Sequence, residues 1–217
     1  MLRAAFCLTA LLAAMPAGAT DPRGSVGVLD LAARLYAQGV AADDAVSVVT
    51  AVRMADGVTL RRATGWERTT APAPGSGKVP RAATSALALI LGEAAEAARL
   101  MAEDNDDLIE ILDTAEAAGA RGPVGSANAA EAVWAPGTTD RWTLPLAGQE
   151  RAEIGVFSDG AARFGWRITG PDGTEVCAAT PSEEPLFCSF IPAENAFYTV
   201  ALTGAGAEES RYLLITN

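Results

Sequence analysis

The 217-residue sequence predicts an α+β protein in which four helices precede an antiparallel β-sandwich of about seven strands. Apolar residues recur every three to four positions from Ser25 to about Gly119, which is the helical period. After residues 121–123 apolar and polar residues alternate, and this pattern is typical of half-buried strands. Proline and glycine cluster near residues 71–80, which predicts a flexible linker between two pairs of helices.

Each predicted helix has an apolar stripe and residues that can begin or end it. Asp43 or Asp44 can cap the second helix, and Asn105 or Asp106 can cap the fourth. The connections within each pair are short, so each pair is expected to form an αα-hairpin. The residues expected to face the core are Val28, Leu31, Ala32 and Leu35; Val46, Val49 and Val52; Leu87, Ile90, Leu91, Ala94 and Ala98; and Leu108, Ile111, Leu112 and Ala115.

The predicted division places a helical domain at residues 20–121 and the sandwich at residues 122–217. In the second half, alternation directs Trp142 and Trp166 inward, whereas Glu153 is expected on an exposed face. A proline cannot donate to a strand ladder, so Pro145 favours an edge position for the strand over residues 141–146.

Four segments of the second half, in the order in which they occur, carry a resemblance to a known type of domain. They are Trp142-Thr-Leu-Pro-Leu146, Trp166-Arg-Ile-Thr-Gly-Pro-Asp-Gly173, Pro192-Ala-Glu-Asn-Ala-Phe-Tyr-Thr-Val200 and Tyr212-Leu-Leu-Ile-Thr-Asn217. With these pieces, residues 127–217 resemble the β-sandwich domains of the bacterial pre-peptidase C-terminal type. The resemblance implies a non-catalytic module of an exported enzyme or cell-surface protein. Many such domains carry an Asp-x-Asp cluster before the central strand, but here that place has only Asp159, followed by Arg163.

Residues 1–19 have the features of a cleavable secretory signal peptide. Arg3 supplies a positive start, residues 4–14 are apolar, and Ala17-Gly18-Ala19 is a small-residue cleavage site. The apolar run is shorter than the roughly 20 residues that cross a bilayer. We therefore expect cleavage between Ala19 and Thr20, a periplasmic or extracellular location, and no transmembrane anchor afterwards.

The charge of the chain is strongly acidic. It has 16 basic and 27 acidic residues, and loss of Arg3 with the signal leaves 15 − 27 = −12. Such a charge disfavours nucleic acid as a partner, because phosphates would be repelled.

Removal of the signal also removes Cys7 and leaves Cys177 and Cys188. Two cysteines in an oxidising compartment predict one disulfide. Residues 181–185 are rich in turn formers, so we expect a hairpin that places the two cysteines directly opposite one another. The alternative, a redox-active pair, does not fit the spacing, which is unlike C-x-x-C.

The chain has no histidine, which excludes Ser-His-Asp catalysis and histidine zinc sites. Weak candidates for a cation site are Asp104, Asp106, Asp107 and Glu110. In the register of a calcium-binding EF-hand loop the fifth position falls on Leu108, so a helix-capping turn is the favoured interpretation. No catalytic residue and no cofactor is predicted.

Trp66 is a large apolar residue in a polar loop. It either docks onto the helices, which we favour, or marks a contact surface.

The expected function is that of an exported non-enzymatic binding or scaffolding module, with a protein or envelope component as its partner. The alternatives are a hydrolase with an unrecognised carboxylate site and a cation- or carbohydrate-binding accessory module.

Overall fold

The computed structural model describes residues 24–72, 90–91, 94–118, 125–182 and 185–217, without the side chains of residues 115–118. The predicted signal peptide, most of the linker and part of the third predicted helix lie outside these ranges. The helices of the described residues are α1 (Ser25–Ala42), α2 (Ala45–Asp56), α3 (Ala94–Met101) and α4 (Asp106–Ala118). Within that part of the chain, no helix is long and apolar enough to cross a membrane.

The described strands form two five-stranded sheets, which confirms the α+β class. Sheet A has the order β1-β3-β10-β5-β8, and sheet B has the order β2-β4-β9-β6-β7. The pairings are antiparallel except that β1 runs parallel to β3. The strands are β1 (Val58–Arg62), β2 (Glu67–Ala71), β3 (Gly125–Trp134), β4 (Thr139–Leu146), β5 (Ala152–Ser158), β6 (Arg163–Thr169), β7 (Glu175–Ser182), β8 (Leu186–Phe190), β9 (Ala196–Ala205) and β10 (Ser210–Thr216).

The expected seven-stranded sandwich is corrected to ten strands in the described residues. Two of the additional strands, β1 and β2, come from the segment expected to belong to the helical domain. Strand β2 was not recognisable, because it is largely exposed and its sequence has no alternation of apolar residues. Secondary structure thus crosses the expected boundary near residue 121, and the division into two separate domains stays a prediction.

Helix α1 packs on the outer face of sheet A, against β3, β5 and β8. Strand β5 is therefore buried on both faces. Gly155 permits this close approach, because a Cβ atom there would lie 2.7 Å from Cγ1 of Val26. One apolar cluster is shared by the four helices and the outer face of sheet A, and a second lies between the two sheets.

The helical phase expected from the sequence is partly wrong. Leu31 and Val46 were expected inward but are 39% and 58% exposed, whereas Val26 and Val48 are buried. The first two helices carry apolar residues around much of their circumference, so periodicity alone does not select the face that meets the sheet. The expected cap of the second helix is Asp44, whose side chain accepts hydrogen bonds from the backbone of Val46 and Ser47.

Pro145 lies in a strand that is not at an edge, which corrects the expected edge position of β4. Strand β4 is flanked by β2 and β9. However, β2 pairs with β4 only between residues 139 and 143, and Pro145 lies beyond the end of that ladder. The missing N–H of the proline therefore interrupts no pairing with β2.

Cys177 and Cys188 are joined by a disulfide with their Cα atoms 6.5 Å apart. The pairing agrees with expectation, but the expected hairpin is wrong. Cys177 lies on β7, which pairs with β6, and Cys188 lies on β8, which pairs with β5. The bridge therefore joins the edge strands of two different sheets and ties one side of the sandwich together.

Removing this disulfide with Cys177→Ala and Cys188→Ala is expected to lower the free energy of unfolding by about 2 to 4 kcal/mol without preventing folding. The loop between the cysteines is short, and the sandwich retains its own apolar core. Urea denaturation of wild type and variant measures the difference, and a thiol assay under denaturing conditions establishes the bridge. Two reactive thiols in mature protein from an oxidising compartment would contradict the bridge.

Candidate functional site

A cleft of about 460 Å³ opens at the side of the sandwich opposite the disulfide, where β1 and β2 are the edge strands. Its walls come from β1, from the loop at residues 63–66 and from β3, with contributions from β4 and β10. The loop has to pass from sheet A to sheet B, because β1 belongs to one sheet and β2 to the other. The cleft is thus built around the point where the chain changes sheets.

Trp66 lies in that loop and lines the cleft in a half-buried position. Its ring meets the ring of Trp142 edge to face, with centroids 6.2 Å apart and an interplanar angle of 81°. The expectation that Trp66 docks onto the helices is therefore wrong, since its aromatic partner belongs to the sandwich. One part of the indole completes the core, and the other part faces the cleft.

The charged residues that line the cleft include more unpaired positive groups than unpaired negative groups. Arg61 and Arg62 line it and are exposed, and among the described residues neither has a hydrogen-bond or ion-pair partner. Glu131 also lines it, but its carboxylate is ion-paired with Arg211. Two arginines of the cleft lining are therefore without a partner in the part of the chain that the structure describes.

The backbone of β3 is open along one part of the cleft. Strand β1 pairs with β3 only as far as Ala129, whose carbonyl accepts a hydrogen bond from the N–H of Ala63. Strand β3 continues to Trp134, and in this stretch its strand partner within the described residues is β10 alone. The carbonyl of Val133 accepts a hydrogen bond from the side chain of Arg68 at 2.5 Å.

Behind the cleft lies a buried polar cluster centred on Asp140, which is 0% exposed. Its carboxylate accepts hydrogen bonds from the hydroxyls of Tyr212 at 2.6 Å and Thr70 at 2.5 Å. Arg68 donates to the same carboxylate at 2.7 Å, and its guanidinium lies over the rings of Trp142 and Tyr212. Trp142 donates its indole N–H to the oxygen of Tyr212 at 2.8 Å. The cluster therefore connects strands of both sheets.

The arrangement around Asp140 suits a structural role. Both carboxylate oxygens accept hydrogen bonds from protein groups, and the side chain has no exposed surface. A general base needs access to the proton that it removes. The carboxylate instead anchors Arg68 and Thr70 of β2, which holds β2 beside β4.

The cluster also predicts a pH dependence. Burial, the charge of Asp140 and the hydrogen bond to it raise the pKa of Tyr212 well above its ordinary value of about 10. The fold therefore favours the neutral phenol, so this stabilisation is complete below about pH 10 and is lost as the pH rises further. Above pH 10 the free energy of unfolding should fall by about 1.4 kcal/mol per pH unit through this group.

Urea denaturation at pH 8, 10 and 11 measures this dependence, with Tyr212→Phe as the comparison. The variant should be less stable at pH 8 by about 1 to 2 kcal/mol, because it lacks a buried hydroxyl. Its stability should then fall less steeply above pH 10. Equal alkaline slopes for the two proteins would contradict the assignment to Tyr212.

Glu153, expected to be exposed, is only 1% exposed, so that expectation is wrong. Its carboxylate accepts hydrogen bonds from the backbone N–H groups of Gly24 at 2.7 Å and Gly27 at 2.9 Å. These N–H groups begin α1 and have no partner within the helix, and the positive end of the helix dipole favours an anion there. Glu153 on β5 therefore fastens the start of α1 to sheet A.

Asp159 occupies the place where the resembling domains carry an acidic cluster. It is exposed, and its carboxylate accepts hydrogen bonds from the hydroxyl of Ser210 at 2.6 Å and the N–H of Arg211 at 2.8 Å. These contacts hold the chain at the corner between β5 and β10.

The four acidic cation candidates Asp104, Asp106, Asp107 and Glu110 are all exposed. Asn105 caps α4, because its side-chain oxygen accepts a hydrogen bond from the N–H of Leu108 at 3.2 Å. In the part of the chain that the structure describes, no three His, Cys, Asp or Glu side chains are grouped to hold a metal ion. Cation binding by these residues stays a prediction.

Sequence reasoning noted Trp66 but missed Arg61 and Arg62. The sequence did contain a signal for them. Arg61 and Arg62 are adjacent basic residues in a chain of net charge −11, and Arg62 lies four residues before Trp66. What the sequence did not show was that this segment is a strand at the edge of the sandwich.

No family model matches the chain, and no curated protein matches it. Among solved structures, the chain is similar to the pre-peptidase C-terminal domain of a collagenase from Bacillus anthracis. The TM-score is 0.36 and the sequence identity is 14%, over 42% of this chain and 88% of that chain. The similarity is too weak to indicate a role, so the function has to be inferred from the cleft.

Proposed function

We propose that the protein is an exported, non-enzymatic binding module whose cleft holds an acidic ligand presented by a protein or envelope partner. The observation that carries the proposal is the pair of partnerless arginines, Arg61 and Arg62, beside the half-buried Trp66. An arginine can bind a carboxylate through two parallel hydrogen bonds, and an indole adds apolar contact area next to it.

The overall negative charge of the protein does not oppose such binding strongly. At physiological ionic strength the Debye length is about 8 Å, so distant acidic residues are largely screened. The cleft lining itself carries Arg61 and Arg62, and its one carboxylate, Glu131, is neutralised by Arg211. The charge that is free to attract an acidic ligand at the cleft therefore belongs to Arg61 and Arg62.

Export is supported by the predicted signal peptide and by the Cys177–Cys188 disulfide, since disulfides persist in oxidising compartments. The mature protein from a bacterial periplasm or culture medium should begin at Thr20. Secreted material that still begins at Met1 would contradict this part of the proposal.

Fluorescence titration with poly-L-glutamate tests the binding function, with poly-L-lysine as the comparison. Trp66 is the reporter, because Trp134, Trp142 and Trp166 are buried. Poly-L-glutamate should change the emission in low salt and lose affinity as salt is added, whereas poly-L-lysine should leave the emission of Trp66 unchanged. In Trp66→Phe the change should disappear.

Charge reversal locates the site. The double variant Arg61→Glu with Arg62→Glu should weaken poly-L-glutamate binding by about tenfold or more. The matched control is Arg163→Glu with Arg167→Glu, which makes the same change of charge at two exposed arginines on β6, a strand separated from β2 by two strands of sheet B. Absence of poly-L-glutamate binding, or equal losses in the two variants, would contradict the proposed function.

A further inference from the structure

We infer that the acidic ligand is an extended peptide segment that binds as an additional strand along the open part of β3. This inference rests on the proposed function and specifies its ligand. The open part comprises residues 130–134, where β3 has continued beyond the end of its pairing with β1. In such strand addition, main-chain hydrogen bonds provide the affinity and side-chain pockets provide the selectivity.

The direction of the backbone groups follows from the observed contacts. Along a strand, the hydrogen-bonding groups of alternate residues point to the same side. The carbonyls of Ala129 and Val133 point to the open side, because they accept from Ala63 N–H and Arg68 respectively. Glu131 lies midway between them, so its N–H and carbonyl point to the open side as well.

Three backbone groups are therefore available to a ligand. They are the N–H and the carbonyl of Glu131 and the N–H of Val133, none of which has a partner in the described part of the chain. Unpaired edge groups of this kind are a template for pairing with another chain. An extended peptide can supply two carbonyls and one N–H at the spacing that they require.

The cleft beside this edge defines the side chains that the peptide should carry. Arg61 and Arg62 lie at the end where β1 stops, and Trp66 lines the cleft beyond them. An acidic side chain of the added strand can pair with an arginine there, and an apolar neighbour can contact the indole. The favoured ligand is thus an extended segment in which acidic and apolar residues alternate.

The first experiment compares three fluorescein-labelled heptapeptides by fluorescence anisotropy. One has alternating glutamate and valine. The other two have the same sequence with N-methyl groups on alternate backbone nitrogens, one peptide for each edge of the strand, so that one of them blocks the edge that meets β3. For one placement binding should weaken by about tenfold or more, because a donor is lost and the methyl group prevents close approach.

The second experiment alters the protein. Val133→Pro removes the open-side N–H and leaves the carbonyl that binds Arg68, and it removes no donor from the ladder with β10. Binding of the unmethylated heptapeptide should weaken about tenfold. If Val133→Pro does not fold, the comparison of N-methylated peptides decides the question.

The outcomes distinguish the two proposals. Binding of acidic probes that depends on Arg61 and Arg62 but is unchanged by either N-methylation would overturn strand addition and leave the binding function in place. Absence of binding by every acidic probe would overturn both. Selective loss with one methylation pattern, together with loss in the double arginine variant, would support strand addition at β3.

Discussion

Replacing Asp140 with alanine is expected to lower the free energy of unfolding by about 3 to 5 kcal/mol, because it leaves buried polar groups without their shared acceptor. Arg68, whose side chain is only 29% exposed, loses its carboxylate partner. The hydroxyl of Tyr212 loses its acceptor inside the core. Strand β2 also loses the anchor that Arg68 and Thr70 provide, so local opening at residues 67–71 should become easier.

Urea denaturation measures the loss, and amide hydrogen exchange locates it. Protection should decrease first in β2 and then in the facing part of β4, because those strands pair through residues 67–71 and 139–143. The matched control is Glu175→Ala, which breaks the exposed ion pair with Arg167 and should cost no more than about 1 kcal/mol. A loss at Asp140 as small as that of the control would contradict the structural role of the cluster.

Alternation predicted the inner strands of the sandwich well. Trp142 and Trp166 were expected inward, and both are buried. On these strands one face meets the facing sheet and the other does not, so a period of two appears in the sequence. In β5 the same pattern failed at Glu153, because α1 covers the face that was expected to be exposed.

The edge strand β2 could not be predicted for a related reason. Strand β2 is held by its ladder with β4 and by polar contacts of Arg68 and Thr70, not by a buried apolar face. Hydrogen bonds between strands distant in sequence leave no local pattern, so residues 67–71 looked like part of a connection. The cleft depends on the edge strands, and for this reason the sequence showed its residues but not their arrangement.

The burial of two carboxylates could likewise not be predicted from the sequence. Asp140 and Glu153 are buried because their oxygens receive hydrogen bonds from groups remote in sequence. A sequence pattern assigns a charged residue to the surface, since an unpaired charge is costly to bury. For Asp140 one signal was present, because it lies two residues before the inward Trp142 and therefore on the same face of β4.

Replacing Glu153 with glutamine is expected to lower the free energy of unfolding by about 2 to 4 kcal/mol, although the two side chains have nearly the same shape. The carboxylate accepts from two backbone N–H groups, those of Gly24 and Gly27. A glutamine amide can place its oxygen against only one of them, and its NH₂ group then faces the other donor. The negative charge at the positive end of α1 is lost as well.

Urea denaturation and amide exchange measure this effect, and Glu131→Gln is the matched control. Glu131 is also a glutamate of sheet A, but it is exposed, so its replacement should cost no more than about 1 kcal/mol. In Glu153→Gln the amides of residues 24–28 should lose protection before those of the inner strands. Uniform loss across the molecule would contradict a local role at the start of α1.

A double-mutant cycle with Gly24→Ala tests the contact between Gly24 and Glu153 directly. A Cβ atom on Gly24 would lie 2.6 Å from Oε2 of Glu153, so Gly24→Ala alone should be destabilising through steric conflict. In a Glu153→Ala background that oxygen is absent, and the added methyl group has room. The cost of Gly24→Ala should therefore be smaller by about 1 kcal/mol or more in that background. Additive losses would show that the buried carboxylate does not hold the first turn of α1 against β5.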